Sequence, residues 1–287
     1  AEERRLREEW EAVEQLRTAE REAGPQHVVG VGGVVRTVDA DLITYREALA
    51  HFQALDMGAD RGKIVPLEAK TGLKAKMQAA LLKKHKLKWA GAGEERDWVF
   101  LVAQQHYAPG DPVYRRVLQT IYKRLTGSGL ACPDLGSHWD LLGFQGNNPE
   151  TDLNRSQGML SLLQALWLTE HHREAAAKYY RASREEPLDW PFVLVAVGFT
   201  KECVGALRRA QVYPECNRAR AVLPVLNDLY LALFDNFYRR VRQAPATHHA
   251  EHLAALRRAA AAAPAKLLKE HAQLRAAAAV AAEEAKR

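Results

Sequence analysis

The stretch Gly136-Ser137-His138-Trp139-Asp140-Leu141-Leu142-Gly143-Phe144-Gln145-Gly146-Asn147-Asn148-Pro149-Glu150-Thr151-Asp152-Leu153 decides how the rest of the chain is read. It sets large aromatics beside glycine, asparagine and proline, and it closes on a carboxylate just ahead of an amphipathic helix beginning near Met159. That composition describes an ordered loop in which aromatic side chains form a rigid base while the tip and the following helix N-terminus present polar groups. A helix N-terminus favours a nearby anion, and Arg155 adds a full positive charge beside it.

Outward from this loop the pattern is helical. Asp111-Pro112-Val113-Tyr114 supplies an N-cap residue and a proline for the first helical position, after which Val117, Leu118, Ile121, Tyr122 and Leu125 share one face. Downstream, Leu160, Leu163, Leu166 and Trp167 give a helix over about Met159 to Thr169. Val222, Leu226, Leu229, Leu233, Phe237 and Val241 predict a long helix from about Asn217 to Val241, with Pro224 as a first-turn residue or a kink. Asn227-Asp228 on that helix reads as a buried polar pair. Period-two runs of β-branched residues are nearly absent, so the core is expected to be all-α.

Toward the ends the character changes. Residues 1–24 read as a charged helix with Leu6, Trp10, Val13 and Leu16 on one stripe, ended by Gly24-Pro25. Residues 25–60 read as a linker with a short helix; the glycines of Val28 to Val35 match neither Gly-x-Gly-x-x-Gly nor a phosphate loop ending in Gly-Lys-Ser/Thr. Residues 61–243 form the expected helical domain, and 244–287 an alanine-rich helical arm in which Leu253, Leu256, Leu267, Leu268 and Leu274 make a narrow stripe. Helical arms of this kind are expected on a partner, on each other, or in solvent.

The 287 residues carry 41 Lys plus Arg and 35 Asp plus Glu, a net charge of +6. Residues Arg61 to Arg96 alone hold ten Lys or Arg and three Glu, a local +7. Two readings stand for Lys83, Lys84, Lys86 and Lys88: a solvated face whose lysines lie over Leu81, Leu82, Leu87 and Trp89, or a contact with an acidic partner. No aromatic interleaving or reading motif points to nucleic acid. Three cysteines without Cys-x-x-Cys spacing indicate a reducing compartment rather than a disulfide framework. The longest apolar run is too short to span a bilayer and the first residues are charged, so a soluble, cytoplasmic chain without a transmembrane segment is expected. His171-His172 and His248-His249 with His252 lack a third ligand at a defined spacing, so no metal and no cofactor are expected. Nor is a nucleophile elbow or Cys-His arrangement legible, which argues against independent catalysis.

At this point the residues carry a resemblance. His-Trp, Gly-Phe-Gln-Gly and Asn-Pro-x-Thr-Asp, followed by Gly158-Met159-Leu160 and a leucine-rich helix, resemble the central signature of the ELMO domain. A second block resembles its later part: Trp190-Pro191-Phe192, Gly198-Phe199-Thr200, Glu215-Cys216-Asn217-Arg218, Val225-Leu226-Asn227-Asp228-Leu229-Tyr230 and Phe237-Tyr238. The likeness runs from about Leu73 to Arg242 and is to the compact, single-ELMO-domain class.

The resemblance implies a GTPase-activating role toward Arf- and Arl-type small GTPases that depends on an arginine after the Thr-Asp-aromatic segment. Carried over, that arginine is Arg155, with Trp139, Gly143, Phe144, Gln145, Gly146 and Asp152 as candidate partner-binding residues; the alternatives are a structural Arg155 paired with Asp152 or with loop carbonyls, and Trp139 and Phe144 as core or loop anchors. A guanidinium supplied in trans to the transferring phosphate accelerates hydrolysis roughly 10³- to 10⁵-fold, and its planar fork can bond two oxygens at once. The chain departs from the family's Pro-x-Thr-Asp-Phe-Arg-Gly-x-Gly in two places: Asn154 stands as an extra residue, and Ser156 replaces a glycine. Inside a helix the extra residue would rotate all that follows by about 100°; absorbed in a loop, it would leave Arg155 pointing outward. Serine at 156 disfavours a positive φ. The rival expectation is a non-catalytic adaptor whose arms and basic stretch fasten it to axonemal, microtubule-associated or other large assemblies in a cilium or the cytoskeleton.

Overall fold

The computed structural model describes residues 28–29, 35–36, 42–64, 86–129 and 133–284. The expected helix over residues 1–24, together with Lys83, Lys84 and Cys132, lies outside the described residues. A minimal antiparallel ribbon pairs β1 (Val28–Val29) with β2 (Val35–Arg36); the remaining described elements are helical. They are α1 (Tyr45–Ala54), α2 (Ala92–Gln104), α3 (Pro112–Thr126), α4 (Pro149–Leu153), α5 (Gly158–His171), α6 (Arg173–Ser183), α7 (Phe192–Arg208), α8 (Tyr213–Ala219), α9 (Leu223–Gln243), α10 (His249–Ala262) and α11 (Pro264–Glu284), with 3₁₀ turns at Gly58–Lys63 and Ser137–Leu142. The fold is all-α.

Local chemistry sets the helix ends. Thr44 and Glu47 form a reciprocal capping box on α1. Asp111 accepts from the amides of Val113 and Tyr114, Pro112 occupies the first turn of α3, and Gly127 at φ +74° closes it. The start of α9 is capped from a distance: Oε1 of Glu95, on α2, accepts from the amides of Val222 (2.7 Å) and Leu223 (3.1 Å). The single helix expected over Asn217 to Val241 is therefore two. Arg220 takes a left-handed φ of +51° between α8 and α9, and Pro224 sits in the first turn of the second.

Helix α5 is the hub, in contact with α1, α2, α3, α6, α7 and α9. Its sequence is apolar on nearly every face, and Leu160, Leu163, Leu166 and Leu168 are fully buried. One polar network crosses this core. Asn227 of α9 accepts from Gln164 Nε2 of α5 and donates to the Tyr45 hydroxyl of α1, each at 3.1 Å. The expected Asn227-Asp228 pair is thus half right: Asn227 is buried, while Asp228, one residue and about 100° further round the helix, is exposed. The aromatic part of the core, Phe192, Phe199, Phe234 and Phe237, joins α7 to α9.

The alanine-rich segment lies on this core. Helix α10 packs on α7 and α9, burying Leu256 and Ala260, and α11 packs on α9 through Leu267 and His271. Nδ1 of His271 stands 3.6 Å from Asp235 Oδ2, and Tyr179 donates to the other oxygen of the same carboxylate. From Ala272 onward the described residues of α11 are exposed, including Leu274 and Val280.

Candidate functional site

The loop of residues 136–153 stands on an aromatic base. Trp139, 1% exposed, donates from Nε1 to Asp134 O (3.1 Å), and its ring meets Tyr122, His138 and Phe144. Phe144 is likewise buried, so both aromatics support the loop from beneath. Burial also holds the His138 imidazole below its ordinary pKa, against the opposing pull of the Pro133 carbonyl and Asp140. Gly143, at φ +84°, lies so close to the next signature block that a Cβ would sit 2.5 Å from Pro191 Cα and 2.8 Å from the Phe192 amide. The two sequence blocks therefore touch here, and the Tyr180 hydroxyl adds a bond to Leu141 O (3.0 Å).

Helix α4 begins on Asn148, whose side chain accepts from the Glu150 amide, with Pro149 in its first turn. One turn on, the buried carboxylate of Asp152 reaches back and accepts from the Gln145 amide at 2.7 Å. Around this bond Gln145, Asn147 and Thr151 are exposed, and Gly146 has open space where a side chain would be.

α4 ends at Leu153 and α5 starts at Gly158, so residues 154–157 form the turn that absorbs the extra residue. Both ends of this turn are tied to one segment. The Asn154 side chain accepts from the Tyr107 amide (2.6 Å) and donates to the Tyr107 carbonyl (3.1 Å), as a neighbouring strand would. Met159 donates to Gln105 O at 2.9 Å, and Gly158, at φ +44°, would place a Cβ only 2.0 Å from that oxygen. The positive φ thus falls on Gly158 and not on Ser156.

Arg155 occupies the turn with its side chain 68% exposed. Its Nη1 lies 3.6 Å from Asp152 Oδ1 and 3.5 Å from Gln145 Oε1, while Nε and Nη2 have no partner among the described residues. At 3.6 Å and with the guanidinium in solvent the pairing is loose, although the Asp152 carboxylate is buried, so a stronger anion can displace it. The result is an outward guanidinium on a rigid turn, with an amide side chain and a carboxylate beside it.

Lys86 and Lys88, from the basic stretch, are exposed. Their backbone is fixed by Asn217, which donates to Lys86 O (2.9 Å) and accepts from the Lys88 amide (2.8 Å). Sequence reasoning missed both asparagine clamps, Asn154 and Asn217, because their backbone partners lie 47 and about 130 residues away. The histidines serve locally: His248 caps α10, His252 Nε2 lies 3.1 Å from Ala244 O, and His171 stacks on Trp167. Among the described residues no group of three or more His, Cys, Asp or Glu is placed to hold a metal, and no helix is long and apolar enough to cross a membrane.

The model of the ELMO/CED-12 family matches residues 99–252. ELMO domain-containing protein 3 of Bos taurus is 41% identical over 229 residues, covering 79% of this chain and 57% of that protein. Its Homo sapiens counterpart is 41% identical over 232 residues, covering 80% of this chain and 58% of that protein. ELMO domain-containing protein 2 of Mus musculus is 22% identical over 107 residues, 37% of this chain and 36% of that protein. The chain therefore spans 57–58% of the length of the first two relatives. No solved structure matches it.

Proposed function

From the premise that the chain belongs to the ELMO/CED-12 family, we propose that it regulates small GTPases of the Arf or Arl type and activates their hydrolysis of GTP in trans through Arg155. The observation that supports this reading is the exposed guanidinium on a turn tied at both ends to residues 105–107. Phosphoryl transfer concentrates charge on the γ-phosphate oxygens, and an arginine finger needs a free fork whose backbone is already in place. Nε and Nη2 supply that fork, and Asp152 with Gln145 holds the guanidinium near the docking face until phosphate oxygens replace them. Gln145 and Gly146 contact the partner directly; Trp139, Gly143 and Phe144 act by holding the loop. The chain carries out no hydrolysis alone.

Single-turnover GTP hydrolysis by a panel of Arf- and Arl-type GTPases tests the reading. Wild type is expected to raise the rate of at least one member about 10³-fold or more, and Arg155→Ala to abolish the increase. Equal rates with the two proteins across the panel would remove the catalytic claim.

A second reading, a non-catalytic adaptor in an axonemal or microtubule-associated assembly, draws on the exposed Leu274 and Val280 at the end of α11 and on the exposed Lys86 and Lys88. It predicts co-sedimentation with microtubules that weakens with salt and with truncation of α11. Co-sedimentation indifferent to both would count against it. The cytoplasm, and a cilium or the cytoskeleton within it, is where either activity places the protein.

A further inference from the structure

A cleft of about 620 Å³ opens where α1, α2, α5 and α9 meet, and neither the Arg155 turn nor any lysine or arginine of the basic stretch lines it. Tyr45, Trp98 and Trp167 line it together with Glu94, Glu95 and Asp228, and none of its lining residues is Lys, Arg or His. Aromatic rings and carboxylates without a cation form an environment that attracts one: the rings offer negative faces, and the carboxylates offer charge.

Each ring is held in place by a contact of its own. The Tyr45 hydroxyl accepts from Asn227, Trp98 Nε1 donates to Phe52 O at 3.1 Å, and Trp167 is stacked by His171 and met edge-on by His172. His172 adds no opposing charge at neutral pH, since burial, with Arg275, His171 and His271 nearby, lowers its pKa to about 4. Of the carboxylates, Glu95 is engaged in capping α9, whereas Glu94 is exposed. Asp228 keeps part of its side chain open to solvent, and the protein packed against the rest raises its carboxyl above the ordinary range in spite of Arg275 and His271.

We propose that this cleft binds a lysine or arginine side chain carried by a partner protein. A protein segment suits it better than a free ammonium headgroup because the volume exceeds that of the charge alone. Leu49, Leu223 and Pro224 give apolar walls for the aliphatic stem and its neighbours. The inference is independent of the GTPase reading, as it uses neither Arg155 nor its loop.

The test uses the full chain and blocked pentapeptides Gly-Leu-X-Leu-Gly that differ only at X, with binding followed by calorimetry and by the protein's tryptophan fluorescence. Lysine and arginine peptides are expected to bind at least about tenfold tighter than their norleucine and citrulline counterparts. Trp98→Phe and Glu94→Gln should each cut that preference about three- to tenfold; Glu94 is exposed and makes no hydrogen bond or ion pair among the described residues, so its variant should keep a Tm close to wild type. Three outcomes would each overturn the proposal: norleucine binding as tightly as lysine, a preference unchanged in Glu94→Gln, or no binding by any of the peptides.

Discussion

The Arg155 turn and the α1–α2–α5–α9 cleft handle charge in opposite ways. The turn is convex and offers a cation outward; the cleft is concave and lined by aromatic rings and carboxylates. They are also built from different material. The turn depends on backbone: a glycine at φ +44° against a carbonyl, and an asparagine side chain that imitates a strand partner. The cleft depends on side chains drawn from four helices, its three rings fixed by ring contacts or by one hydrogen bond. A backbone-built site should fail abruptly when a single atom is added, whereas a side-chain-built site should lose affinity in steps.

Gly158→Ala should produce the largest structural effect. The new Cβ would lie 2.0 Å from Gln105 O at a backbone angle that alanine resists, so a loss of about 3 kcal/mol or more is expected in urea denaturation. Retained wild-type stability would remove the distinction between the two sites. Next comes Asn154→Ala, which removes both bonds to the Tyr107 backbone and should cost about 1–3 kcal/mol. With Arg155 intact but loosely held, stimulated hydrolysis should fall about tenfold while the lysine-peptide affinity of the cleft stays at the wild-type value. Asn217→Ala is the mirror test: a similar stability loss as residues 86–88 come free, with Arg155-dependent hydrolysis unchanged.

The smallest effect concerns pH beside the cleft. Burial holds His172 at about 4, below its unfolded value, so the fold favours the neutral ring. The stability this contributes is complete above about pH 6.5 and is lost as pH falls toward 4. Because the ring is half-buried, the full shift is not realised as stability. About 1 kcal/mol, or roughly 2–4 °C in Tm between pH 7 and 5, is expected, and His172→Gln should flatten that slope. Equal slopes in the two proteins would show that other groups dominate.

The two sites also differed in how far the sequence foretold them. The turn lies within one continuous stretch, and the cues around it act over a few residues, as Asp111-Pro112 did in starting α3. What the sequence hid was the role of Asn154, read as a surplus residue, because Tyr107 becomes its partner only once α2 and α4 are packed. The cleft was invisible for the same reason on a larger scale, since residues 45, 98, 167 and 228 share no period and no motif. The division of the expected 217–241 helix has this cause too: Asn217 is bound to residues 86–88 and Glu95 caps Val222, and hydrophobic periodicity carries no trace of either. Periodicity identified the helices, but only tertiary contacts reveal where polar groups between them are used.

The central claim is that the turn exists to present Arg155 to a transferring phosphate. Its most direct test is the affinity of the chain for an Arf- or Arl-type GTPase loaded with GDP and aluminium fluoride, compared with GDP alone, for wild type and Arg155→Ala. Wild type should bind the fluoride-loaded state at least about tenfold tighter, as a catalyst complementary to the transition state must. Arg155→Ala should lose that gain and keep its affinity for the GDP state. A gain of equal size in both proteins, or none in wild type, would contradict the account.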